Sequence, residues 1–328
     1  MTRAPAARVS PLLGIVGPTA SGKTDLALAL AGRLPVEILV ADSRQVYRGM
    51  DVGTMKPDAA ARASVSHHLL DLVEPDEPFT VADWVERARE LVPEIAGRGR
   101  IPLIVGGTGL YVTSLVDGHD YASQPWSPEL RRRLTDELET QGLEPMVTRL
   151  RTLDPNAAAR TDLRNPRRVL RALEGAEVGG GGVEARAQPY AGRVALIGLS
   201  RPRELLYRRI DERAAWLFEH GLLDEVQRLL AAGYSTALRP MTGHGYREAA
   251  RHLAGEWSLG EAIEVTARRT RQYAKRQLTW FRRDPRIVWL DAGERPADDP
   301  ALVDQAGRIA TALRDLDAGP AYPRSSNR

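Results

Sequence analysis

Gly17 to Thr24 reads G-P-T-A-S-G-K-T, with two glycines framing four residues and a lysine and a hydroxyl side by side at the end. That spacing fits G-x-x-x-x-G-K-[ST]. The loop comprises Gly17, Pro18, Thr19, Ala20, Ser21 and Gly22, whose backbone N–H groups, the proline having none, can turn inward onto phosphate oxygens. A helix starting at Lys23 adds the positive end of its dipole. Lys23 supplies a point charge, and the Thr24 hydroxyl can ligate Mg²⁺. The pattern specifies a diphosphate or longer; it does not specify ATP.

Two further loops carry reactive groups. Asp42 to Tyr47 reads D-S-R-Q-V-Y. Placed at a strand end beside the phosphate loop, Asp42 can accept a proton or help hold a metal, and Asp42 and Ser43 equally suit a helix or turn cap. Gly106 to Tyr111 reads G-G-T-G-L-Y. Its glycines allow close backbone approach and the Thr108 hydroxyl can donate to a phosphate oxygen, although an ordinary strand-to-helix turn has the same composition. An ATP hydrolase often carries an acid after an apolar strand, and glycine and threonine stand there instead.

Basic residues are concentrated in two stretches. Arg160, Arg164, Arg167, Arg168 and Arg171 fall within twelve residues, and the last four share a face at helical spacing. Ala267 to Arg283 has seven basic residues and no acid, with Tyr273, Trp280 and Phe281 interleaved. That mixture suits phosphate contacts beside stacked bases, and it also suits a solvated helix with an aromatic inner edge. Arg213, in R-R-I-D-E-R, is by position alone an arginine on a solvated helix face. His67, His68 and His244 have no metal-ligand spacing and read as structural.

The elements that must position these groups are legible as apolar runs. Leu12–Val16, Val36–Val40 and Ile101–Val105 read as buried strands, each ending at one of the three polar loops. Helical text follows at Asp25–Leu30 and Asp83–Ile95. Strand alternating with helix predicts an α/β fold with a parallel sheet, whose ligands gather at the carboxyl ends of the strands. From about Gly118 to Gly192 the text turns helical and basic, with helices at Leu130–Leu138 and Pro166–Glu174 and a four-glycine run at Gly179–Gly182. A strand resumes at Val194–Leu199, followed by one long helix over Arg203–Ala231. The expected organisation is a core at 11–117 and 194–313, a helical insert at 118–193, and loose tails at 1–10 and 314–328.

Composition sets the bounds. The chain has 328 residues, and 46 basic against 43 acidic side chains leave a net charge of +3, too small to imply nucleic-acid binding without the clustering. There is no cysteine, which excludes disulfides, thiolate metal sites and cysteine nucleophiles and fits a cytoplasmic location. No apolar run approaches the roughly 20 residues that span a bilayer, so no membrane partner is expected.

Taken in order, GPTASGKT, DSRQVYRGMDVGTMKP, IPLIVGGTGLY, RNPRRVLRALE, GYRE and TRQYAKRQLTWFRR resemble the tRNA dimethylallyltransferases, also called tRNA isopentenyltransferases, from about Leu12 to Leu290. The resemblance implies a P-loop kinase-like core with an inserted helical domain that clamps the anticodon stem-loop of tRNA. It implies transfer of a dimethylallyl group from dimethylallyl diphosphate to the N6 amine of adenosine 37, with Mg²⁺ as cofactor, diphosphate as product and a monomeric enzyme. Asp42 then matches the general base, Thr108 the threonine near the bridging oxygen, and Lys23, Thr24 and Arg213 the diphosphate and metal set. Segments matching tRNA contacts supply Asp42, Ser43, Arg44 and Gln45, then Thr108 and Arg131, then Arg167, Arg168, Val169, Leu170 and Arg171. Gly245, Tyr246 and Arg247 follow, and then Lys275, Arg276, Gln277, Trp280 and Arg282. Gly179–Gly182 stands where the family usually has a Gly-Lys turn, and His244 occupies a place that is usually apolar.

Three other classes compete with this reading. A small-molecule P-loop kinase would leave both basic clusters idle. An isopentenyltransferase acting on free adenine nucleotides has no need of a long basic insert. An RNA-binding, nucleotide-sensing module would not need Asp42 and Thr108 beside the phosphate loop.

Overall fold

The computed structural model describes residues 9–118, 127–179 and 188–315. In chain order, β1 (Leu12–Val16), α1 (Lys23–Ala31), β2 (Val36–Ala41), α2 (Ala59–Ser64), β3 (His67–His68), α3 (Val81–Gly97), β4 (Ile101–Gly106) and α4 (Gly109–Asp117) come first. Helices α5 (Pro128–Gln141), α6 (Leu143–Leu153), α7 (Pro155–Arg160) and α8 (Pro166–Gly179) follow. Then come β5 (Val194–Ser200), α9 (Arg203–Glu219), α10 (Leu222–Ala231), a 3-10 turn at Pro240–Thr242, α11 (Tyr246–Leu253), α12 (Leu259–Phe281), β6 (Ile287–Asp291) and α13 (Pro300–Asp315).

The six strands form one parallel sheet in the order β3-β2-β4-β1-β5-β6. The fold is α/β. Every residue of β1, β2 and β4 is buried, as strands covered by helices on both faces must be. One core, with Leu12, Leu39, Ile104, Trp84 and Leu196, lies apart from another built on Leu13, Ile38, Leu103, Leu26 and Leu302. Alternate residues of one strand therefore feed different cores. Because β4 lies between β1 and β2, the loops after all three emerge side by side at one edge.

Several local outcomes differ from the sequence expectation. The helix expected over Arg203–Ala231 is two helices: α9 ends at Glu219, and Gly221, with φ 99°, turns the chain into α10. Helix α3 starts at Val81 because Thr80 and Asp83 form a reciprocal capping box. The two-residue strand β3 is too short for a periodic signal. In β2 the charged Glu37 is buried in an otherwise apolar run. It accepts hydrogen bonds from Arg98 Nη2 at 2.7 Å and Nε at 3.0 Å, and lies 2.7 Å from His68 Nε2. The Arg98 hydrogen bond is the chief reason that its carboxyl falls to about 2. Helix α13 continues to Asp315, inside the segment expected as a loose tail. Gly179 is the last residue of α8, and the remaining glycines of the run lie outside the described residues.

The chain divides into two compact units, one of residues up to Val116 and from Tyr190 onward, the other Asp117–Pro189. The second holds α5 to α8 around its own core of Leu134, Val147, Leu150, Val169, Leu170 and Leu173. Among the described residues no helix is long and apolar enough to cross a membrane.

Candidate active site

A cavity of about 320 Å³ opens at the edge where β1, β2 and β4 end. Its wall includes Thr19, Ala20, Gly22, Lys23 and Thr24 from the phosphate loop, Asp42 to Gln45 from the β2 loop, and Gly106 and Gly107 from the β4 loop. Helix α9 adds Arg213, Ala214 and Leu217, and α12 adds Thr266, Thr270, Tyr273 and Gln277. Those four α12 residues recur at i, i+4, i+7 and i+11, one stripe of the helix.

The phosphate loop is held from behind. Arg209 Nε donates to Ala20 O at 3.1 Å and the buried Arg201 donates from Nε to Ser21 O at 2.9 Å. Ala20 sits at φ 64°, a conformation that costs a non-glycine residue of order 1 kcal/mol. Two loop carbonyls are thereby turned back onto arginines, while Ser21 N donates to Pro18 O at 3.4 Å and Thr19 N to a side chain of α12. Lys23 Nζ donates to Pro18 O at 2.6 Å. Burial, then the nearby Arg213, lower its ammonium from 10.5 to about 8. Arg213 is likewise lowered, first by burial and then by Arg209. Two cations that disfavour each other in a desolvated corner form a site completed by an anion.

Facing them, Asp42 Oδ1 accepts from Arg44 N at 2.8 Å, so one carboxylate oxygen caps its own turn, as the structural alternative required. Ser43 N donates to Thr108 Oγ1 at 3.1 Å, and Thr108 N donates to Ala41 O at 3.0 Å, locking the β2 and β4 loops together. Tyr273 hydrogen bonds through its side chain with Thr108 and Gln277, and burial pushes its hydroxyl up to about 12. The Asp42 and Thr108 loops are thus joined by hydrogen bonds, while Lys23 feels the charge of Asp42 and lines the same cavity as Arg213.

Gln277 has a different position from that implied by RNA contact. It is buried, its Oε1 accepts from Thr19 N at 2.8 Å, and its Nε2 donates to Gly107 O at 2.9 Å. A Cβ at residue 107 would overlap that amide, which accounts for the glycine. No local pattern foretells this strut, since its partners lie hundreds of residues away.

Other residues matched to RNA segments divide by exposure. Lys275 and Arg276 are exposed in the C-terminal half of α12 and Arg282 just past its end, Arg247 is exposed on α11, and Trp280 is 40% exposed against Gly109. Arg44 donates to Arg239 O, and Gln45 Nε2 donates to Thr54 O at 2.9 Å and Met55 O at 3.1 Å. Gly245 N donates to Glu248 Oε2 at 2.8 Å at the start of α11. Tyr246 is buried and its hydroxyl donates to Glu225 at 2.6 Å, so its side chain is a core group rather than an RNA contact.

In the second unit Arg167, Arg168 and Arg171 are exposed on α8, while Val169 and Leu170 point into that unit's core and are unavailable as side-chain contacts. Arg131 donates through Nε and Nη2 to the two carboxylate oxygens of the buried Glu174, an internal ion pair.

Among known proteins, the IPP transferase family profile matches residues 45–284, and the isopentenyl transferase profile matches residues 11–71. The tRNA dimethylallyltransferase of Syntrophobacter fumaroxidans is 46% identical over 310 residues, covering 93% of this chain and 89% of its own. That of Roseiflexus castenholzii is 45% identical over 301 residues, covering 91% and 97%. Among solved structures, the tRNA isopentenylpyrophosphate transferase of Bacillus halodurans superimposes with a TM-score of 0.70 at 38% identity, covering 94% of this chain and 97% of that one. A eukaryotic dimethylallyltransferase acting on tRNA superimposes with a TM-score of 0.78 at 25% identity, covering 93% and 79%.

Proposed function

The chain belongs to the tRNA dimethylallyltransferase family of transferases, and on that premise we propose that it moves a dimethylallyl group from dimethylallyl diphosphate to the N6 amine of adenosine 37 in tRNA. The observation that carries this reading is the opposition of charge in one cavity: the crowded Lys23–Arg213 corner calls for an anion, and Asp42 faces it from the next loop. An aromatic amine is a weak nucleophile, and diphosphate leaves well only when its growing charge is neutralised. Lys23, Arg213 and the phosphate-loop N–H groups stabilise that charge as the C–O bond breaks. The free Asp42 oxygen orients the amine and takes its proton as the C–N bond forms. Thr108, fixed by Ser43 and Tyr273, holds the region between them.

The residues suit Mg²⁺. Among the described residues no three His, Cys, Asp or Glu gather as a metal cage. The Thr24 hydroxyl and the Asp25 and Asp42 carboxylates at the cavity are hard oxygen donors, too few to enclose a cation without substrate oxygens and water. That sparse oxygen set is how Mg²⁺ is usually bound at phosphates. When bound, it supplies further charge neutralisation on the diphosphate.

The target base is stacked in its loop and must be extruded, at a cost of a few kcal/mol. The exposed basic residues of α12 and, in the second unit, Arg167, Arg168 and Arg171 hold the RNA backbone meanwhile. The division into a catalytic core and a tRNA-clamping insert, a monomeric state and a cytoplasmic location belong to the same proposal. A kinase or free-nucleotide prenyltransferase would leave those arginines without purpose. Incubation with dimethylallyl diphosphate, Mg²⁺ and unmodified tRNA, followed by nucleoside mass spectrometry, tests the reading. The expected product is an adenosine heavier by one dimethylallyl group at position 37; unaltered RNA would overturn it.

A further inference from the structure

The charged end of the cavity accounts for the diphosphate, but three buried polar atoms elsewhere on its wall have no protein partner. They are His67 Nε2, on β3, and a pair, His244 Nδ1 in the turn before α11 and Thr266 Oγ1 on the α12 stripe. Thr266 is only 1% exposed. The two belong to one corner, because the Cβ position of Gly245 lies 3.9 Å from Thr266 Cγ2. A buried hydroxyl or imidazole nitrogen without a partner costs about 1–3 kcal/mol, so a corner holding two is built to receive hydrogen bonds from a bound molecule.

A hydrocarbon tail offers none. The molecule must therefore be the polar one, and the position of the corner agrees. The His244 ring stacks on Tyr273, with centroids 5.3 Å apart. Tyr273 in turn hydrogen bonds with Thr108 and senses the charge of Asp42. His244 accordingly lies on the Asp42 side of the cavity. In a displacement at carbon the nucleophile enters opposite the leaving group, so this wall faces the incoming amine rather than the diphosphate.

We propose that His244 Nδ1 and Thr266 Oγ1 form a polar edge that hydrogen bonds to the acceptor nucleobase and sets which base enters the site. This deepens the reading of the chain as a tRNA prenyltransferase and rests on it. The imidazole suits such a task because it stays neutral: burial, then Arg269, Arg44 and Arg276, lower it to about 4. A neutral ring has one donor and one acceptor nitrogen and so matches a purine edge without adding charge. A site built to hydrogen bond rejects a ligand lacking the matching atom more strongly than a hydrophobic pocket rejects one lacking a methylene.

The test uses the full-length enzyme and anticodon stem-loops carrying adenosine, 1-deaza-, 3-deaza- or 7-deazaadenosine at the target position. Single-turnover rates are compared for the wild type, Thr266→Val and His244→Leu. Thr266→Val removes the hydroxyl and keeps the shape, which guards against a folding defect at His244. The wild type is expected to disfavour at least one deaza analogue about tenfold relative to adenosine. That penalty is expected to shrink to about twofold or less in one or both variants, while KM for the donor stays within about twofold. An identical deaza penalty in all three enzymes would mean that the corner only holds water, and would overturn the proposal. No transfer to the adenosine stem-loop by the wild type would instead sink the prenyltransferase reading, so the two failures are distinct.

Discussion

Gln277 Oε1 accepts the backbone N–H of Thr19 at 2.8 Å across 258 positions of sequence, tying the longest helix to the phosphate loop. The same side chain donates to Gly107 O, so one amide spans two of the three functional loops. Gln277→Leu should therefore lose about 2 kcal/mol of stability and at least tenfold in single-turnover rate, with little change in the salt dependence of RNA binding. Thermal unfolding and rapid-quench assays check this; a salt slope that falls with the rate intact would return Gln277 to the role of an RNA contact.

Asp42 divides its labour between a turn cap and the cavity. Asp42→Asn keeps the cap to Arg44 N and removes the basic oxygen, so it separates the two duties. The expected loss is 10²-fold or more in single-turnover transfer, with the RNA Kd within about threefold of the wild type. Equal losses in affinity with an unchanged rate would show that Asp42 merely binds.

Lys23 has a working pH limit. Its ammonium is lowered to about 8, chiefly by burial, so the free enzyme loses this charge as pH rises through 8. An anion favours the charged form, and so diphosphate affinity should be constant below about pH 7.5 and fall up to tenfold per pH unit well above 8. Lys23→Met should bind weakly at every pH and lack the inflection. Calorimetric titration with inorganic diphosphate from pH 6.5 to 9.5 reads both curves; a wild-type affinity flat across that range would refute the assignment.

Arg131 and Arg167 belong to the same unit and predict opposite behaviour. Arg131→Ala strands the buried Glu174 and should cost about 3 kcal/mol, seen as a lower Tm. Arg167→Ala removes an exposed cation, should leave Tm within about 1 °C, and should reduce the slope of log K against log salt by about 1. If Arg131→Ala changes the slope and not the Tm, its carboxylate partner is not what holds it.

What the sequence disclosed follows from how local each feature is. The phosphate loop, Asp42 and Thr108 were legible because each sits where an apolar run stops, and a parallel sheet collects such stops at one edge. The break before α10 had its signal in His220-Gly221, a glycine within helical text, overridden by the apolar spacing on either side. Glu37 hid inside β2 because its partners Arg98 and His68 come from other elements. Gln277, Tyr246 and Arg131 lay in segments rich in RNA-binding chemistry. Only their buried partners distinguish them from neighbours that face solvent, and no run of residues encodes a partner that distant.

The sheet order has a consequence for how the enzyme comes into being. Strand β4 separates β1 from β2, and Gln277 arrives after more than four fifths of the chain. A polypeptide still emerging from the ribosome can shape its glycine-rich octet early but cannot brace it until helix α12 has been released. A nascent chain that has not yet released α12 therefore lacks a braced pocket, and prenylation waits on that helix.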